Sequence, residues 1–371
     1  MPPATDDLTI GVEEEYQIVN PETRELRPRA TRLVTRAQDD LGDEVSHEFF
    51  QSQIEIGTPV CRTLAEVRAE LIRLRRGVVA AAEREGSRIV AAGTHPFSHW
   101  EGQPVTPKQR YLELRDDFQQ LAREQIIFGC HVHVGISDRD EAVHVMNRSR
   151  PWLSPLIALS ASSPFWLGDE TGYASYRTQL FSRWPMTGIP ECFDSRAEFD
   201  RLVNSLVAVG MIPDGSKLYW DARPSSHVET LEFRVADVCP TLDEAVMIAG
   251  LCRALARTCL AEHRDGLPLP RPRPEVLRAA RWRASRFGLD GELIDVFAEE
   301  SRPAREVVAS MLQFLHPALG DLGDWDEISE LVNMTLERGN SAKRQRWAFA
   351  QSGRMQDVVD LLMSETVRGL D

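Results

Sequence analysis

The stretch Thr230-Leu231-Glu232-Phe233-Arg234-Val235 shows the pattern that decides the fold of this chain. Its residues alternate between polar and apolar, and side chains at positions i and i+2 of a β-strand lie on the same face of a sheet. One face of this strand would therefore carry Glu232 and Arg234, while the other would be apolar. The stretch predicts a strand with a polar front and with an apolar back that packs against helices.

Three other stretches repeat this design. Residues 9–18, 51–56 and 127–136 also alternate with period two, although Glu14 interrupts the apolar side of the first. Their polar sides carry carboxylates, amides and imidazoles, namely Glu13, Glu15, Gln17, Gln51, Gln53, Glu55, His131 and His133. These polar sides contain no lysine, which is unusual for an ordinary solvated face. Together the four strands predict one sheet with a functional front.

Helix starts are marked by a Ser or Thr that is followed three residues later by Glu, the pattern of a capping box. Such pairs occur at Thr63/Glu66, Ser195/Glu198 and Thr241/Glu244. The third pair precedes a segment that is apolar nearly all round, so its helix is predicted to be buried. Further helices are predicted over residues 146–162 (broken by Pro151 and Pro155), 275–287, 303–315, 327–337 and 355–367.

The overall composition limits the classes of partner. The chain has 371 residues, with 43 Lys+Arg against 57 Asp+Glu and a formal net charge of −14. This acidic balance argues against nucleic acid or an anionic membrane as the main partner, because both favour clustered positive charge. The stretch Trp152–Gly168 is too short and too polar to span a bilayer, and Met1–Asp7 has no signal-peptide pattern. The six cysteines form no CxxC pair, which favours reduced thiols in a cytoplasmic protein.

The carboxylates of the predicted front indicate a metal site. If Glu13, Glu15, Glu55 and Glu232 converge, their mutual repulsion raises their pKa values unless cations intervene. Clusters of carboxylate oxygens suit Mg²⁺ or Mn²⁺, with substrate phosphates and water completing the shell. The alternative is a solvated face whose glutamates serve only solubility.

His131 and His133 form an HxH pair on one strand face. This spacing suits zinc, a structural pair with satisfied hydrogen bonds, or a mixed role beside magnesium and a nucleotide. The remaining histidines supply no obvious third and fourth zinc ligand. A zinc-dependent hydrolase therefore stays open as an alternative.

Several arginines could bind an anion. Arg177, Arg183 and Arg223 lie in stretches rich in aromatics, glycine or proline, and each offers a planar fork for carboxylate or phosphate. For each one alone, a surface salt bridge is the alternative. Arg234 shares a strand face with Glu232, so it is well placed to hold a phosphoryl group during transfer. The sequence has no GxxxxGK[ST] loop, so any ATP would be bound through metals and arginines.

These motifs, taken together, resemble the glutamate–cysteine ligase type 2 family and, within it, the bacterial carboxylate–amine ligases. The resemblance is carried, in order along the chain, by GVEEEY (11–16), QIEIGTPVC (53–61), GTHP (93–96), GCHVHVG (129–135), SASSPFW (160–166), SRWP (182–185), RPS (223–225) and TLEFR (230–234). The motifs extend from residue 9 to about residue 350, which is nearly the whole chain.

The resemblance implies an α+β fold of the glutamine synthetase-like type. Its curved antiparallel sheet of about six strands would form a funnel, with helices packed on the outside. The chain would be one domain over residues 1–371, with a helical C-terminal third from about residue 275 packed on the sheet. The implied activity is an ATP-dependent ligation of a carboxylate and an amine through an acyl phosphate, with Mg²⁺ or Mn²⁺. L-glutamate and L-cysteine, or another amine, would be the substrates, and neither nucleic acid nor a membrane would be a partner.

The resemblance also assigns roles to residues. The implied metal ligands are Glu13, Glu15, Glu55, His133 and Glu232. Glu232 and Arg234 would be catalytic, and the nucleotide and substrates would be bound by His131, Arg177, Arg183, Arg223 and Arg234. A cytoplasmic homodimer is expected. A zinc-dependent hydrolase and a non-catalytic Mg·ATP-binding protein are the alternatives.

Overall fold

The computed structural model describes residues 8–370, so Met1–Asp7, where no signal peptide is predicted, lies outside the described residues. The strands are β1 (Ile10–Val19), β2 (Val45–His47), β3 (Gln53–Gly57), β4 (Arg88–Val90), β5 (Gly129–Gly135), β6 (Phe165–Trp166), β7 (Asp169–Glu170), β8 (Thr187–Gly188), β9 (Tyr219–Trp220), β10 (Ala222–Pro224), β11 (Thr230–Asp237), β12 (Glu292–Asp295) and β13 (Glu300–Pro303). The helices are α1 (Ala30–Leu41), α2 (Leu64–Arg84), α3 (Gln109–Phe118), α4 (Gln120–Arg123), α5 (Arg139–Ser149), α6 (Leu153–Ser160), α7 (Tyr176–Phe181), α8 (Arg196–Ala208), α9 (Leu242–Arg264), α10 (Pro274–Phe287), α11 (Ala304–Leu322), α12 (Trp325–Arg338), α13 (Ser341–Ser352) and α14 (Met355–Thr366). Short 3₁₀ helices cover Gly42–Glu44, Arg150–Trp152 and Gly215–Lys217.

A seven-stranded sheet has the order β10-β11-β5-β1-β3-β2, with β4 paired to the end of β1. All of its pairs are antiparallel. The register places Glu13 opposite His131, Glu15 opposite Glu55 and Glu232 opposite His133. Because facing residues of paired strands point to the same side, the polar fronts of the four predicted strands form one surface. The prediction of an α+β fold with an antiparallel sheet of about six strands is confirmed.

The back of the sheet packs against α2 and α9, which both contribute buried apolar residues to the core. Glu14, which breaks the apolar pattern of β1, is fully buried on this side. Its Oε2 accepts a hydrogen bond from Arg75 Nε of α2 at 2.9 Å and another from the Tyr16 hydroxyl at 2.5 Å. The exception in the sequence pattern is therefore a buried ion pair that joins sheet and helix.

The three predicted helix starts are confirmed. The side-chain oxygens of Thr63, Ser195 and Thr241 accept hydrogen bonds from the backbone N–H groups three residues later. The α9 helix is buried along most of its length, as its composition predicts. The predicted break at Pro151 in the helix over 146–162 is confirmed, because the 3₁₀ turn Arg150–Trp152 separates α5 from α6. The predicted break at Pro155 is wrong, since Pro155 lies in the first turn of α6, where a proline is tolerated.

The β11 strand contains a bulge that the period-two pattern does not predict. Phe233 pairs with Val132, but the next pair is Ala236 with Cys130, so two residues of β11 have no partner on β5. The backbone N–H of Arg234 instead donates to Asp221 O at 2.8 Å. Bulges reorient side chains locally, and here the strand continues to Asp237, beyond its predicted end at Val235.

The main hydrophobic core joins residues from Leu8 to Leu362. The helices of the last third contribute Val308, Met311, Leu315, Val358 and Val359 to it. The predicted helical C-terminal third thus shares one core with the sheet. Among the helices of residues 8–370, none is both long and apolar enough to cross a membrane.

Candidate active site

A pocket of about 300 Å³ lies on the polar front of the sheet. Strands β1, β3, β5 and β11 form its floor, and α3, α7 and the segment 215–219 form its walls. The charged and aromatic residues that line it are Glu13, Glu15, Glu48, Glu55, Arg110, Arg177, Lys217, Arg223, Arg234, His131, His227, Phe49, Tyr111, Phe181, Trp184 and Tyr219. This catalytic pocket is therefore rich in both carboxylates and cations.

Glu13 lies at the centre of the carboxylates and imidazoles. Its Oε2 is 3.2 Å from His131 Nδ1, and its Oε1 is 3.3 Å from His133 Nε2. Two groups of possible ligand atoms, each within 4.8 Å, share Glu13: one adds Glu55 and His131, and the other adds His133 and Glu232. Each group offers two carboxylates and one imidazole.

Burial and mutual repulsion determine the protonation of these groups. Burial, together with the charges of Glu48 and neighbouring glutamates, holds the pKa of Glu55 well above its usual range. Burial and Glu48 likewise raise the pKa of Glu15 to about 8, although Gly129 N donates to its Oε2 at 2.6 Å. Burial also opposes ionisation of Glu13, but the hydrogen bonds and charges of His131 and His133 outweigh it and lower its pKa.

The residues present fit a divalent cation. His133 Nε2 is buried without a satisfactory hydrogen bond, although it lies between Glu13 and Glu232. A cation here would be bound by the neutral imidazole of His133 and would relieve the repulsion that raises the pKa values of Glu15 and Glu55. The carboxylate-rich groups suit Mg²⁺ or Mn²⁺. Among the described residues, neither of these two groups contains both imidazoles of the HxH pair.

Three predicted arginines also reach the catalytic pocket. Arg223 Nη2 lies 2.9 Å from Glu232 Oε2, and Arg234 Nη1 forms an ion pair with Glu232 Oε1. Burial opposes ionisation of Glu232, but Arg234, Arg223 and the two histidines lower its pKa to about 2. The Nε atoms of Arg177, Arg223 and Arg234 are buried and lack hydrogen-bond partners among the described residues. These unsatisfied donors indicate an anionic ligand.

Arg177 is positioned by the β11 segment beyond the bulge. Its Nη1 is 3.9 Å from Asp237 Oδ1, and Asp237 also accepts hydrogen bonds from Ser162 N and from the hydroxyls of Ser163 and Ser175. A Cβ at residue 129 would collide with the Arg177 guanidinium and lie 2.9 Å from His131 Nε2. Gly129 therefore leaves the space that both side chains occupy.

The prediction for Arg183 does not agree with the structure. The side chain is partly exposed and forms an ion pair with Glu124, and it does not line the catalytic pocket. Arg183 is the second residue after α7, between the pocket residues Phe181 and Trp184, and its ion pair with Glu124 holds its side chain outside the pocket lining. Arg183 therefore does not belong to the predicted arginines that the structure brings to this pocket.

The structure also adds pocket residues that the sequence pattern missed. Glu48 accepts a hydrogen bond from the Tyr111 hydroxyl at 2.8 Å, and Arg110, Lys217 and Tyr219 lie on the walls. These residues are in loops, short elements or the first turn of α3, where no strand periodicity marks them. Only tertiary folding brings them to the sheet.

Comparisons with known proteins agree with this geometry. The sequence matches the family described as "Glutamate-cysteine ligase family 2" over residues 9–361. It is 41% identical over 363 residues to a Herpetosiphon aurantiacus protein named "Putative glutamate--cysteine ligase 2", covering 98% of this chain and 94% of that protein. It is 43% identical over 372 residues to "Putative glutamate--cysteine ligase 2-2" of Frankia alni, covering 96% and 97%.

A solved structure shows the same fold at low sequence identity. The glutamate–cysteine ligase of Francisella tularensis in complex with AMP superposes with a TM-score of 0.71 at 12% identity, covering 98% of this chain and 90% of that one. This similarity confirms the predicted fold. The match over residues 9–361 and the 41% identity confirm the predicted resemblance: the chain belongs to glutamate–cysteine ligase family 2.

Proposed function

We propose that this chain is an ATP-dependent ligase that joins a carboxylate to an amine through an acyl phosphate. The observation that carries the proposal is the shared pocket of carboxylate–imidazole groups and three arginines with unsatisfied Nε donors. Such a pocket suits a metal–triphosphate and a carboxylate together, since both are anionic. The family to which the chain belongs supports the same reaction class.

Magnesium or manganese would be held by five residues, with Glu15 behind them: Glu13, Glu55, His131, His133 and Glu232. When bound, the metal supplies charge neutralisation and in-line positioning for the phosphates. Glu15 keeps the backbone of Gly129 in place through the 2.6 Å hydrogen bond and lines the same pocket. The proposed metal set therefore keeps Glu13, Glu55, His133 and Glu232 of the predicted set, adds His131, and moves Glu15 from a ligand to a supporting role.

Arg234 and Arg223 would stabilise the transferring phosphoryl group. Glu232 holds both guanidiniums by ion pairs, so their donors are preorganised before the substrate binds. Arg177, anchored beside Asp237, would bind the carboxylate of the acid substrate. Both roles use donors that are unsatisfied in the protein itself.

The chemistry requires an activated acid, because an amine attacks a carboxylate anion far too slowly. The substrate carboxylate would attack the γ-phosphorus of ATP and form an acyl phosphate and ADP. The amine would then attack the carbonyl carbon of the acyl phosphate, the C–O bond to phosphate would break, and loss of one amine proton would give the amide. L-glutamate and L-cysteine are the substrates suggested by the names of the relatives, and another amine is the alternative.

A screen of acid–amine pairs with ATP and Mg²⁺ tests the proposal. ADP release would be followed for each pair, and the products identified by mass. We expect ADP release that requires both an acid and an amine, with an amide of the two as the product. A zinc-dependent hydrolase would show stoichiometric zinc and no ATP requirement, and a binding protein would bind Mg·ATP without forming ADP; either result would overturn the proposal.

The proposal also includes the cellular compartment and the oligomeric state of the chain. The six cysteines are free thiols, and five of them are buried, which supports a reducing compartment such as the cytoplasm. We propose a homodimer from the family resemblance, and light scattering of the purified chain measures its mass directly. A single domain over residues 1–371 is supported by the core that the sheet shares with the last helices.

A further inference from the structure

A second cavity of about 390 Å³ lies beside α10 and shares no lining residue with the catalytic pocket. The segment 187–191, α7 and the 3₁₀ turn at Arg150 form its other walls. Its size falls within the range of small-molecule sites in proteins. None of its lining residues is used by the proposed ligase reaction.

Arg150 is the unusual residue of this second cavity. Only 3% of its surface is exposed, and its Nε is buried with no hydrogen-bond partner. Its guanidinium forms no ion pair with any carboxylate of residues 8–370; its neighbours are the Cys192 thiol, which forms a weak hydrogen bond with it, the Glu191 carboxylate and the Arg271 cation. Burial lowers the pKa of Arg150, the charge of Arg271 adds to this, and Cys192 and Glu191 offset it only in part. Burying a cation without an ion-pair partner costs free energy. An anion that binds beside Arg150 could pair with this charge.

The other arginines of the cavity differ from Arg150. Arg281 is already paired with Asp221, at 2.6 Å and 3.0 Å, and therefore serves as a structural wall. Arg278 is exposed, and its one ion pair within residues 8–370 is with Glu275 of its own helix at 3.2 Å, so it can turn towards a ligand. The one carboxylate that lines the cavity, Glu191, is exposed at the rim.

The remaining lining is partly apolar. Leu277 is buried, while Ile189 is half-buried and Trp282 keeps 45% of its surface exposed. An indole ring and aliphatic side chains next to a buried guanidinium suit a ligand with a flat or apolar body and one anionic end.

We propose that this cavity binds a small organic anion, with its carboxylate or phosphate group on Arg150 and its apolar body against Leu277 and Trp282. The occupant would contact Gly188, whose carbonyl accepts a hydrogen bond from Asp221 N at 2.8 Å. Asp221 O in turn accepts the hydrogen bond from Arg234 N at 2.8 Å. The site is thus connected through two backbone hydrogen bonds to an arginine of the catalytic pocket, yet its binding does not depend on the ligase reaction.

Titration calorimetry with benzoate and with phenyl phosphate tests the proposal, because the two probes share an apolar body and differ in the anionic group. The full chain would first be saturated with Mg²⁺ and a non-hydrolysable ATP analogue. The variant is Arg150→Gln, and the matched control is Arg283→Gln, which removes an α10 arginine that contacts Glu292 outside the cavity. We expect the same Kd for wild type and control, and a Kd about tenfold or more higher for Arg150→Gln.

If benzoate binds more tightly, the anionic group of the ligand is a carboxylate, and if phenyl phosphate binds more tightly, it is a phosphate. No saturable binding of either probe, or equal binding by a folded Arg150→Gln protein, would overturn the proposal. If thermal melting shows that Arg150→Gln does not fold, Ile189→Trp replaces it, because this half-buried residue can fill the cavity while Arg150 stays in place. Binding must be lost in Ile189→Trp, and unchanged binding there would refute the site.

Discussion

Replacing Glu232 by Gln should weaken both the fold and the proposed catalysis, by amounts that the structure allows to be calculated. The side chain is 2% exposed and pairs with Arg223 and Arg234. These cations lower its pKa to about 2 from an ordinary value of 4.5. A difference of about 2.5 units at 1.36 kcal/mol per unit gives about 3 kcal/mol of stabilisation by the ionised form.

The sign of the pH dependence follows from the lowered pKa. The stabilisation is fully present above pH 4.5 and is lost as the pH falls through about 2, where the folded carboxylate takes up its proton. We therefore expect the free energy of unfolding of Glu232→Gln, measured with urea and without metal, to be about 3 kcal/mol lower at pH 7. The difference from wild type should shrink as the pH is lowered below 4.5.

The effect on the reaction is measured separately, with the acid–amine pair that gives the fastest ADP release. We expect Glu232→Gln to lower the rate of ADP release by a factor on the order of 10² or more. The reason is that the guanidiniums of Arg223 and Arg234 lose the carboxylate with which they pair, and the proposed metal site loses one carboxylate ligand. Glu229→Gln is the matched control, since it removes an exposed carboxylate just before the same strand. A folded Glu232→Gln protein that releases ADP at the wild-type rate would refute the assignment.

Three further predictions concern other parts of the molecule. Arg75→Met leaves the buried Glu14 carboxylate unpaired and should lower the free energy of unfolding by about 3–5 kcal/mol, measured by denaturant titration; a change below 1 kcal/mol would contradict the importance of this pair. Binding of Mg²⁺ should release protons at pH 7 and should tighten as the pH rises through about 8, because a cation at Glu55 and beside Glu15 favours the ionised forms of these two carboxylates, whose pKa values are raised; calorimetry in buffers of different ionisation enthalpy measures this, and a proton count of zero would refute it. Gly129→Ala should slow ADP release about tenfold or more, since the added methyl group collides with Arg177. The control is Gly320→Ala in α11, whose methyl group meets no atom within 4 Å. This control should raise the melting temperature without slowing the reaction.

The polar front and the helix starts could be predicted because they depend on local periodicity. Alternation along a strand fixes which side chains share a face, whatever the partner strands are. The pattern therefore predicts that Glu13, Glu55, His131 and Glu232 lie on the front, and the register of the sheet brings them there. Capping residues act within one turn, and therefore Thr63, Ser195 and Thr241 were sufficient to locate three helices.

Features that depend on distant segments could not be predicted in this way. The partner of Glu14 lies 61 residues away on α2, and the carboxylate that raises the pKa of Glu15 comes from a loop at Glu48. The direction of Arg183 depends on how α7 packs, and the bulge after Phe233 depends on how β11 pairs with both of its neighbours.

The sequence by itself determined the chemistry that was available: an acidic chain whose strands carry carboxylates, imidazoles and arginine on one face. Only the tertiary structure decided how those groups combine, because pairing register and helix packing set distances to within an ångström. It placed Glu13 between two imidazoles and Glu232 between two guanidiniums, and it left Arg150 buried with no ion pair among residues 8–370. Electrostatic interactions depend on the separation and burial of the charged groups, and the order of residues in the sequence specifies neither of these.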